Sequence, residues 1–556
     1  MFDFKKLMNN DWFYYSLIFV VSVLIISPAL LVGVPSGSVD FTHHLQISYA
    51  FFDSISHGNL FPNWVFAENK GYGAVTIRFY PPLIGYTLAV FRYLTGNWQW
   101  ALFAAFTFWS LVGGLGIYKW SGELLKTRWQ AFAAALIFML APYHLAQFYL
   151  SFMFGEFAAI SVMPFAFFFA KKLCERNRLT DVLGFAAATS MLILSNLPQT
   201  VIAAAAVGLY ALLYLNKTDF LKQAARFSAA TLLALAATAF YWVRMISEMH
   251  FINVSQPNTD PDYDYRNHFL LSTFQIDQKE IWFVTLMVMM SVVLVLLALT
   301  LSRKIKAGWL DPEIRNVMIV SGFSFLMMIP VTRLVWDHLG LLQKVQFPWR
   351  FFTILTLGAS ILIAYSLDFI NPVNFVKKRP LILLLCGSML IYAAFSIKQV
   401  VLGAAFSDPQ TFNRKRSEAE RGKGLPHWLP TWVNKATFEN EPKISAHDRE
   451  VTIGVWENEN REFSVAGGAS GRLRAPLIYY PHWKATINGQ PAEVLKGTDG
   501  AINLALPEDV SHVRLFFEEP PASLLSRKVS VAAGALMIVL LLFQMLFSNK
   551  RQQDVE

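Results

Sequence analysis

Apolar stretches of roughly twenty residues, almost free of charge, recur along this chain between residues 12 and 547. Each approaches or exceeds the length needed to cross about 30 Å of hydrocarbon. With 55% hydrophobic and 15% charged residues in 556, and a mean hydropathy of +0.40, a water-soluble fold would leave too much apolar surface in contact with solvent. The pattern predicts an α-helical polytopic membrane protein. The first stretch, 12–33, is too long for a signal-peptide core and lacks an Ala-x-Ala exit, so it reads as an uncleaved anchor.

The basic residues sort the loops. Lys5 and Lys6 precede the first apolar block; Lys119, Lys126 and Arg128 follow the second; then come Lys171, Lys172, Arg176 and Arg178. Further clusters are Lys217, Lys222 and Arg226; Arg303, Lys304, Lys306 and Arg315; Lys377, Lys378 and Arg379; and Lys550 with Arg551. Placed on one cytoplasmic face, consecutive clusters must be separated by two crossings. The blocks 12–33, 98–118, 130–149, 157–170, 181–197, 200–215, 227–243, 281–301, 316–332, 351–367, 380–397 and 527–547 supply them, giving about twelve spans with both termini cytoplasmic. The formal charge of +9 is then an orientation signal, and no nucleic-acid partner is needed to explain it. One further apolar stretch, 79–96, would upset this parity, and Tyr80-Pro81-Pro82 with Arg92 favour a helix lying at the interface over a full crossing.

The outer loops are unequal. The first, 34–97, is long and rich in polar and aromatic residues, and a soluble segment of about 130 residues at 398–526 precedes the last span. That segment reads as a small β-sandwich. Leu477-Ile478-Tyr479-Tyr480 and Trp483-Lys484-Ala485-Thr486-Ile487 are followed by the hairpin dipeptide Asn488-Gly489, and Val513, Leu515 and Phe517 alternate on a further strand. The charged stretch from Asp408 to Lys423 reads as loop. The domain division is 1–397, 398–526 and 527–556. Cys174 falls in a basic loop and Cys386 in an apolar block, positions that suit neither a disulfide nor a Cys-built metal site. No Walker motif, dinucleotide glycine pattern, His-Glu-x-x-His or Gly-x-Ser-x-Gly is present.

With nearly all basic residues assigned inward, the few charges on the other side carry the chemical interest. Asp40 lies just beyond the outer end of the first block, where a carboxylate can work as a base in a polar cavity or simply cap the helix that begins there. His43, His44 and Gln46 follow within one or two turns. Glu156, between Glu123 and Glu175, is an isolated acid near the outer boundary, with Tyr143 and His144 one loop-length away; facing interfacial water is its other reading. Gln346-Phe347-Pro348-Trp349-Arg350 sits at the outer mouth of a late span. There an arginine's planar fork suits a phosphate, while Trp349 also fits an ordinary aromatic belt. Arg333, Arg266 and Arg244 are weaker candidates of the same kind. His43 and His44 point about 100° apart on a helix and do not make a metal pair.

Several ordered motifs resemble a bacterial family. Asp40-x-x-His43-His44-Leu45, Gly58-Asn59-Leu60-Phe61-Pro62-Asn63-Trp64, Asn69-Lys70-Gly71-Tyr72-Gly73 and Phe79-Tyr80-Pro81-Pro82 look like the first outer loop of the 6-pyruvoyl-tetrahydropterin synthase-related membrane proteins. Gln346-Phe347-Pro348-Trp349-Arg350-Phe351 resembles their second signature, and Tyr480-Pro481-x-Trp483 with Asn488-Gly489 resembles the β-domain ending shared with YfhO-type relatives. The family is similar in layout to the GT-C membrane glycosyltransferases, which take a sugar from a polyprenyl-phosphate carrier on the outer face. The resemblance implies a GT-C-like membrane domain and a polyprenyl-phosphate-linked sugar donor. A cell-surface glycan, lipid or protein would be the acceptor, in an inner membrane with the active face outward. It makes Asp40 and Glu156 the catalytic carboxylates, with His43, His44, Tyr80, Tyr143, His144, Gln346, Trp349 and Arg350 around the substrates. Two positions depart from the family's pattern: Ser151-Phe152-Met153-Phe154 stands where an Arg is expected before the second acid, and Asn196 where a His is common. A divalent ion between Asp40 and Glu156 is compatible with this layout, although two carboxylates alone do not make a metal site. A non-catalytic protein that binds or moves lipid-linked sugars would use the same residues.

Overall fold

The first helix starts where the sequence supplies a cap: the Asn10 side chain accepts a hydrogen bond from Trp12 N at 3.0 Å, and the helix runs Asp11–Ile26 before continuing as Pro28–Leu31. In this computed structural model the described residues are 10–253, 263–271, 279–301, 311–367, scattered positions between 383 and 400, 402–420, 428–434, 438 and 442–553. Among them, six helices are long and apolar enough to cross a membrane, or nine if each of three bent pairs is one span. The straight ones are Asp11–Leu31, Trp98–Gly122, Phe154–Glu175, Trp282–Thr300, Pro348–Ser366 and Pro521–Leu546.

The bends have local causes. Arg128–Met139 turns by 43° into Pro142–Tyr149, and Pro312–Met327 turns by 84° into Pro330–His338. Both breaks precede a proline, which cannot donate to the helix ladder and holds the residue before it extended; Ala141 and Ile329 are both extended. The third pair, Phe220–Ala237 with Ala239–Phe251, bends by 71° at Thr238, whose hydroxyl donates to Ala234 O at 2.8 Å. Leu179–Ser195 and Leu197–Leu212, also expected to cross, are apolar but 17 and 16 residues long. The expected span at 380–397 and Cys386 lie mostly or wholly outside the described residues. Leu83–Thr95 has 13 residues, closed by Gly96 in the left-handed conformation. At about 1.5 Å per residue it reaches about 20 Å, less than the hydrocarbon core.

Four of the basic clusters meet at one end of the bundle. Lys172 pairs with Glu123, Lys171 with Glu175 and Glu313, and Arg128 with Asp11 at 2.7 Å, while Arg226 donates to Arg176 O. Cys174 is not in a loop: it is buried in the last turn of Phe154–Glu175. That helix is buried almost throughout and carries Glu156 at its opposite end.

At the Glu156 end lie the first outer loop and the β-rich segment. The strands are β1 Val34–Pro35, β2 Phe406–Ser407, β3 Val451–Trp456, β4 Asn460–Val465, β5 Gly471–Ile478, β6 Trp483–Ile487, β7 Gln490–Ala492, β8 Leu495–Lys496, β9 Ala501–Leu506 and β10 Ser511–Phe517. One antiparallel sheet has the order β3-β4-β10-β6-β7 and the other β5-β9-β8. The β6–β7 hairpin turns at Asn488 and Gly489, both at positive φ, as the dipeptide requires. The sheets share a core of Phe463, Val465, Leu473, Ala475, Ile502, Leu504, Val513 and Leu515, and the first outer loop contributes Trp64, Tyr72, Val75 and Phe79 to it. Gly73, at φ +77°, lets Trp64 pack: a Cβ there would approach its Nε1 to 2.0 Å. The charged stretch expected as loop is instead a helix, Pro409–Glu420. Asp408 caps it, accepting from Gln410 N and Thr411 N at 2.8 and 2.9 Å. Pairing of β1 with β2 and the Lys415 ammonium donating to Ser36 O at 2.6 Å clamp this helix onto the first loop.

Candidate functional site

Helix Val39–Ser56 opens the site. Its N-cap is Ser38, not Asp40: the Ser38 hydroxyl accepts from Asp40 N at 3.2 Å and donates to Ser151 O at 2.5 Å, tying the first outer loop to the second. Asp40 is thereby left half-buried in the first turn, where the helix dipole favours a carboxylate. His44, one turn on, is buried; its ring lies edge-on to Tyr80, whose hydroxyl is 3.4 Å from Nδ1. Burial, with His43 alongside, lowers the His44 pKa to about 3, so the ring is neutral at physiological pH. His43 is half-buried, and Gln46 is buried with Nε2 unpartnered.

Glu156 begins the central helix and is 1% exposed. It does not face interfacial water. Its Oε1 accepts from Tyr143 Oη at 2.7 Å and Gln199 Nε2 at 2.9 Å, and its Oε2 lies 3.3 Å from Arg350 Nε without a hydrogen bond to it. Gly155 allows this approach, since a Cβ there would stand 2.7 Å from Ser195 O. Gln199 escaped the sequence reading. Its place is set by Asn196, the position that departs from the family's histidine, which caps Leu197–Leu212 by accepting from Gln199 N at 2.9 Å. A polar residue between two apolar blocks, three residues after a capping Asn, was the available signal.

Arg350 is 5% exposed at the start of Pro348–Ser366. Its Nη1 donates to Val345 O at 2.8 Å and to Gln346 Oε1 at 3.4 Å, and its guanidinium sits 4.8 Å from the Phe347 ring centre. Phe347 stacks on Trp349 at 5.0 Å, and Trp349 meets Tyr143 edge-on at 6.4 Å. Gln346 takes a positive φ of 67° to turn the chain here. Tyr80 reports the convergence. Burial raises its pKa first; the charges of Asp40 and Glu156 push it further up and that of Arg350 pulls it down. Tyr80 is therefore a protonated phenol within electrostatic reach of all three charges.

His144 does not join this set. It lies between Phe138 and Phe157, with ring centres 4.7 and 4.4 Å away, and neither ring nitrogen has a hydrogen-bond partner. Arg244 also leaves it for a buried network described below. Arg266 and Arg333 sit 3.5 and 3.7 Å from Asp337, half exposed. Among the described residues no group of three or more His, Cys, Asp or Glu side chains could hold a metal ion. Glu156 also fits a metal poorly, since Arg350 already occupies the side of Oε2.

Below the site, Ala133, Leu136, Ile137, Leu140, Ala141 and Thr356 help to line an apolar groove of about 330 Å³. Of its lining residues, Ala141 precedes Pro142-Tyr143, and Thr356 follows Arg350 on the same span.

Fold and site together define a helical membrane protein with a buried acid–arginine pair, an apolar groove lined by two of the helices that also carry or lead into that site, and a β-rich segment packed on the 34–97 loop. The chain belongs to the 6-pyruvoyl-tetrahydropterin synthase related family of membrane proteins, whose model matches residues 77–400. No curated protein matches it. Among solved structures it is similar to the arabinofuranosyltransferase AftD from Mycobacteria, at 16% identity and a TM-score of 0.44 over 72% of this chain. The match spans only 28% of AftD. It is also similar to ArnT from Cupriavidus metallidurans, bound to undecaprenyl phosphate, at 14% identity and a TM-score of 0.41 over 73% of this chain and 68% of ArnT.

Proposed function

We propose that this protein is an inverting membrane glycosyltransferase that moves a sugar from a polyprenyl-phosphate donor to a cell-surface acceptor on the outer face of the inner membrane. The observation that carries the reading is the buried pair of Glu156 and Arg350, 3.3 Å apart and drawn from distant parts of the chain, with Asp40 and Tyr80 within its electrostatic reach. The apolar groove beneath it suits an isoprenoid tail.

In this reading Asp40 takes the proton of an acceptor hydroxyl, whose oxygen attacks the sugar's anomeric carbon from the face opposite the phosphate. The bond between carbon and phosphate oxygen breaks, its electron pair leaves with the phosphate, and configuration inverts. Negative charge then builds on the phosphate. Arg350 meets it with Nη2, which makes no hydrogen bond among the described residues, while the Tyr80 hydroxyl and neutral His44 can donate to it. Glu156 is a positioning residue in this scheme, holding Arg350 through Oε2 while Tyr143 and Gln199 hold Oε1. The site offers a phosphate-binding cation without any nucleotide motif, as a lipid-phosphate donor requires.

Asp40→Asn in proteoliposomes, supplied with polyprenyl-phosphate sugars and envelope extract, is the test. Loss of the base is expected to lower transfer about 10²- to 10⁴-fold while polyprenyl phosphate still binds. Unchanged transfer sinks the base role; absence of any transfer by the unaltered protein, with donor still bound, leaves a lipid-linked-sugar carrier as the better description.

A further inference from the structure

A second cavity lies where the first outer loop meets the β-sheets, far from the groove in the membrane domain. It measures about 570 Å³, within the range of small-molecule sites, and its wall is about equally polar and apolar. One side is the C-terminal end of helix Val39–Ser56 and the loop after it, and the other is the β3–β4 turn with the C-terminal end of β10.

The aromatic residues Phe66, Trp456 and Phe516 line it. Phe66 is 37% exposed, although it sits in a loop otherwise packed into the β core. Phe66 and Trp456 are held in place by the fully buried Arg461, whose guanidinium lies 5.1 and 5.0 Å from their ring centres. Arg461 Nη1 donates to Asn460 O at 3.0 Å, while Nε and Nη2 have no hydrogen-bond partner among the described residues, so the two rings and the nearby Glu457 and Glu459 charges carry the rest of its accommodation.

The polar lining divides into groups that are already used and groups that are not. Glu459 is used: it accepts from Asn59 Nδ2, Asn63 N and Asn63 Nδ2 at 3.0, 2.8 and 3.0 Å. Asn458 joins Asp53 to Phe66 N across the joint. By contrast the Glu457 carboxylate makes no hydrogen bond or ion pair among the described residues, yet it acts electrostatically on Asp53 and His57. Arg514 commits Nε to Asn460 Oδ1 at 3.0 Å and leaves its terminal nitrogens over, and His57 uses Nδ1 on Asp53 O at 2.8 Å and leaves Nε2.

We propose that this cleft binds a hydroxyl-rich sugar chain without negative charge, as a distal subsite for the acceptor. Planar carboxylate and guanidinium groups pair with neighbouring hydroxyls, which both donate and accept, and the C–H faces of a sugar ring pack against aromatic faces. Three lining carboxylates, Asp53, Glu457 and Glu459, stand against one guanidinium, Arg514, so an anionic ligand is disfavoured. Helix Val39–Ser56 connects the two places. Asp53 lies 13 residues beyond Asp40 on it, about 20 Å along the axis, so an extended acceptor held at one end can present a hydroxyl at the other. The acceptor role rests on the glycosyltransferase reading; sugar binding in the cleft does not.

The test uses the full chain in nanodiscs and a panel of neutral and amino tetrasaccharides of glucose, mannose, galactose and glucosamine, with tetragalacturonate as the anionic control. Binding is read by saturation-transfer NMR. At least one neutral or amino sugar is expected to bind, with Phe66→Ala weakening it about tenfold, the worth of one aromatic contact, and Glu457→Gln weakening it severalfold. Both variants should still melt cooperatively, although each loosens the surroundings of Arg461, and polyprenyl-phosphate binding should stay unchanged. If no panel member binds, if both variants bind as the parent does, or if tetragalacturonate binds as tightly, the cleft is a crevice between domains and the proposal falls. Polyprenyl-phosphate binding in the same samples keeps the two readings apart: its loss in the parent protein counts against the donor site, not against the cleft.

Discussion

Two buried charge clusters lie on the outer-loop side of this protein, and they are built in opposite ways. At the joint between the loop, the β-sheets and the last helix, Arg78 is fully buried and uses every nitrogen. Its Nε donates to Glu248 at 2.7 Å, Nη1 to Asn63 and Glu519 at 2.7 and 3.0 Å, and Nη2 to both carboxylates. Tyr480 and His482 reach Glu248 at 2.7 and 3.1 Å, while Arg244 and Arg527 close on Asn63 and Glu519. Around Glu156, by contrast, the ion pair with Arg350 lacks a hydrogen bond, Gln199 Oε1 is unpartnered, and a groove opens beneath. A network in which only Arg244 Nε is left over among the described residues fixes one geometry and has little to offer a ligand. An incomplete one is costly unless a ligand completes it.

The difference is sharpest in what removal of a cation does. Arg78→Leu takes from the buried Glu248 and Glu519 the cation that joins them, and breaking such a buried pair typically costs about 3–5 kcal/mol. The expected outcome is a large drop in melting temperature and rapid proteolytic release of the β-rich segment in detergent. Arg350→Ala should behave differently. Glu156 keeps its Tyr143 and Gln199 donors, so the fold holds, while polyprenyl phosphate, titrated by native mass spectrometry, binds about 1.5–3 kcal/mol more weakly for want of a charge-assisted contact. Equal losses of stability in the two variants would erase the distinction between a structural and a ligand-binding cluster.

The two clusters were also unequally legible. Asp40, Glu156 and Arg350 stood out because each is a lone charge beside an apolar block, where ionisation is expensive. Tyr80 joined them through a motif. Arg78, beside the apolar stretch 79–96, was as open to notice as they were but had no visible partner, because Glu248 and Glu519 meet it across separations of 170 and 441 residues that no local pattern encodes. His144 misled for the opposite reason. It adjoins Tyr143 in sequence, but neighbours on a helix point about 100° apart, so one faces Glu156 and the other the aromatic core. The Asn488-Gly489 turn read correctly because its signal is local. The kinks at Ala141 and Ile329 were also written locally, as residues preceding a proline. The helix at Pro409–Glu420 was not, because its mostly polar sequence belongs to an element whose one buried ring, Phe412, packs on Phe41.

A smaller version of the same comparison lies within the joint, between two carboxylates that differ only in company. Burial pushes the Glu519 carboxyl up, but Arg78, Arg244 and Arg527 outweigh it and hold it below its ordinary 4.5. Glu68 has no cation: the Thr76 hydroxyl donates to it at 2.6 Å, and burial raises it to about 7. Their effects on stability therefore run in opposite directions. Glu519 stabilises the fold above the unfolded carboxyl value, and that contribution is lost as pH falls through its lower folded value. Glu68 retains a proton that the unfolded chain has already released between pH 4.5 and about 7. Stability falls as pH rises through that window, by at most about 1.4 kcal/mol per unit. Glu68→Gln keeps the contact with Thr76 and removes the titration, so its melting temperature between pH 4.5 and 7.5 should fall less steeply than that of the parent chain. Parallel curves would mean that Glu68 is ionised at no cost in the fold, and that a carboxylate in this joint does not need a cation beside it.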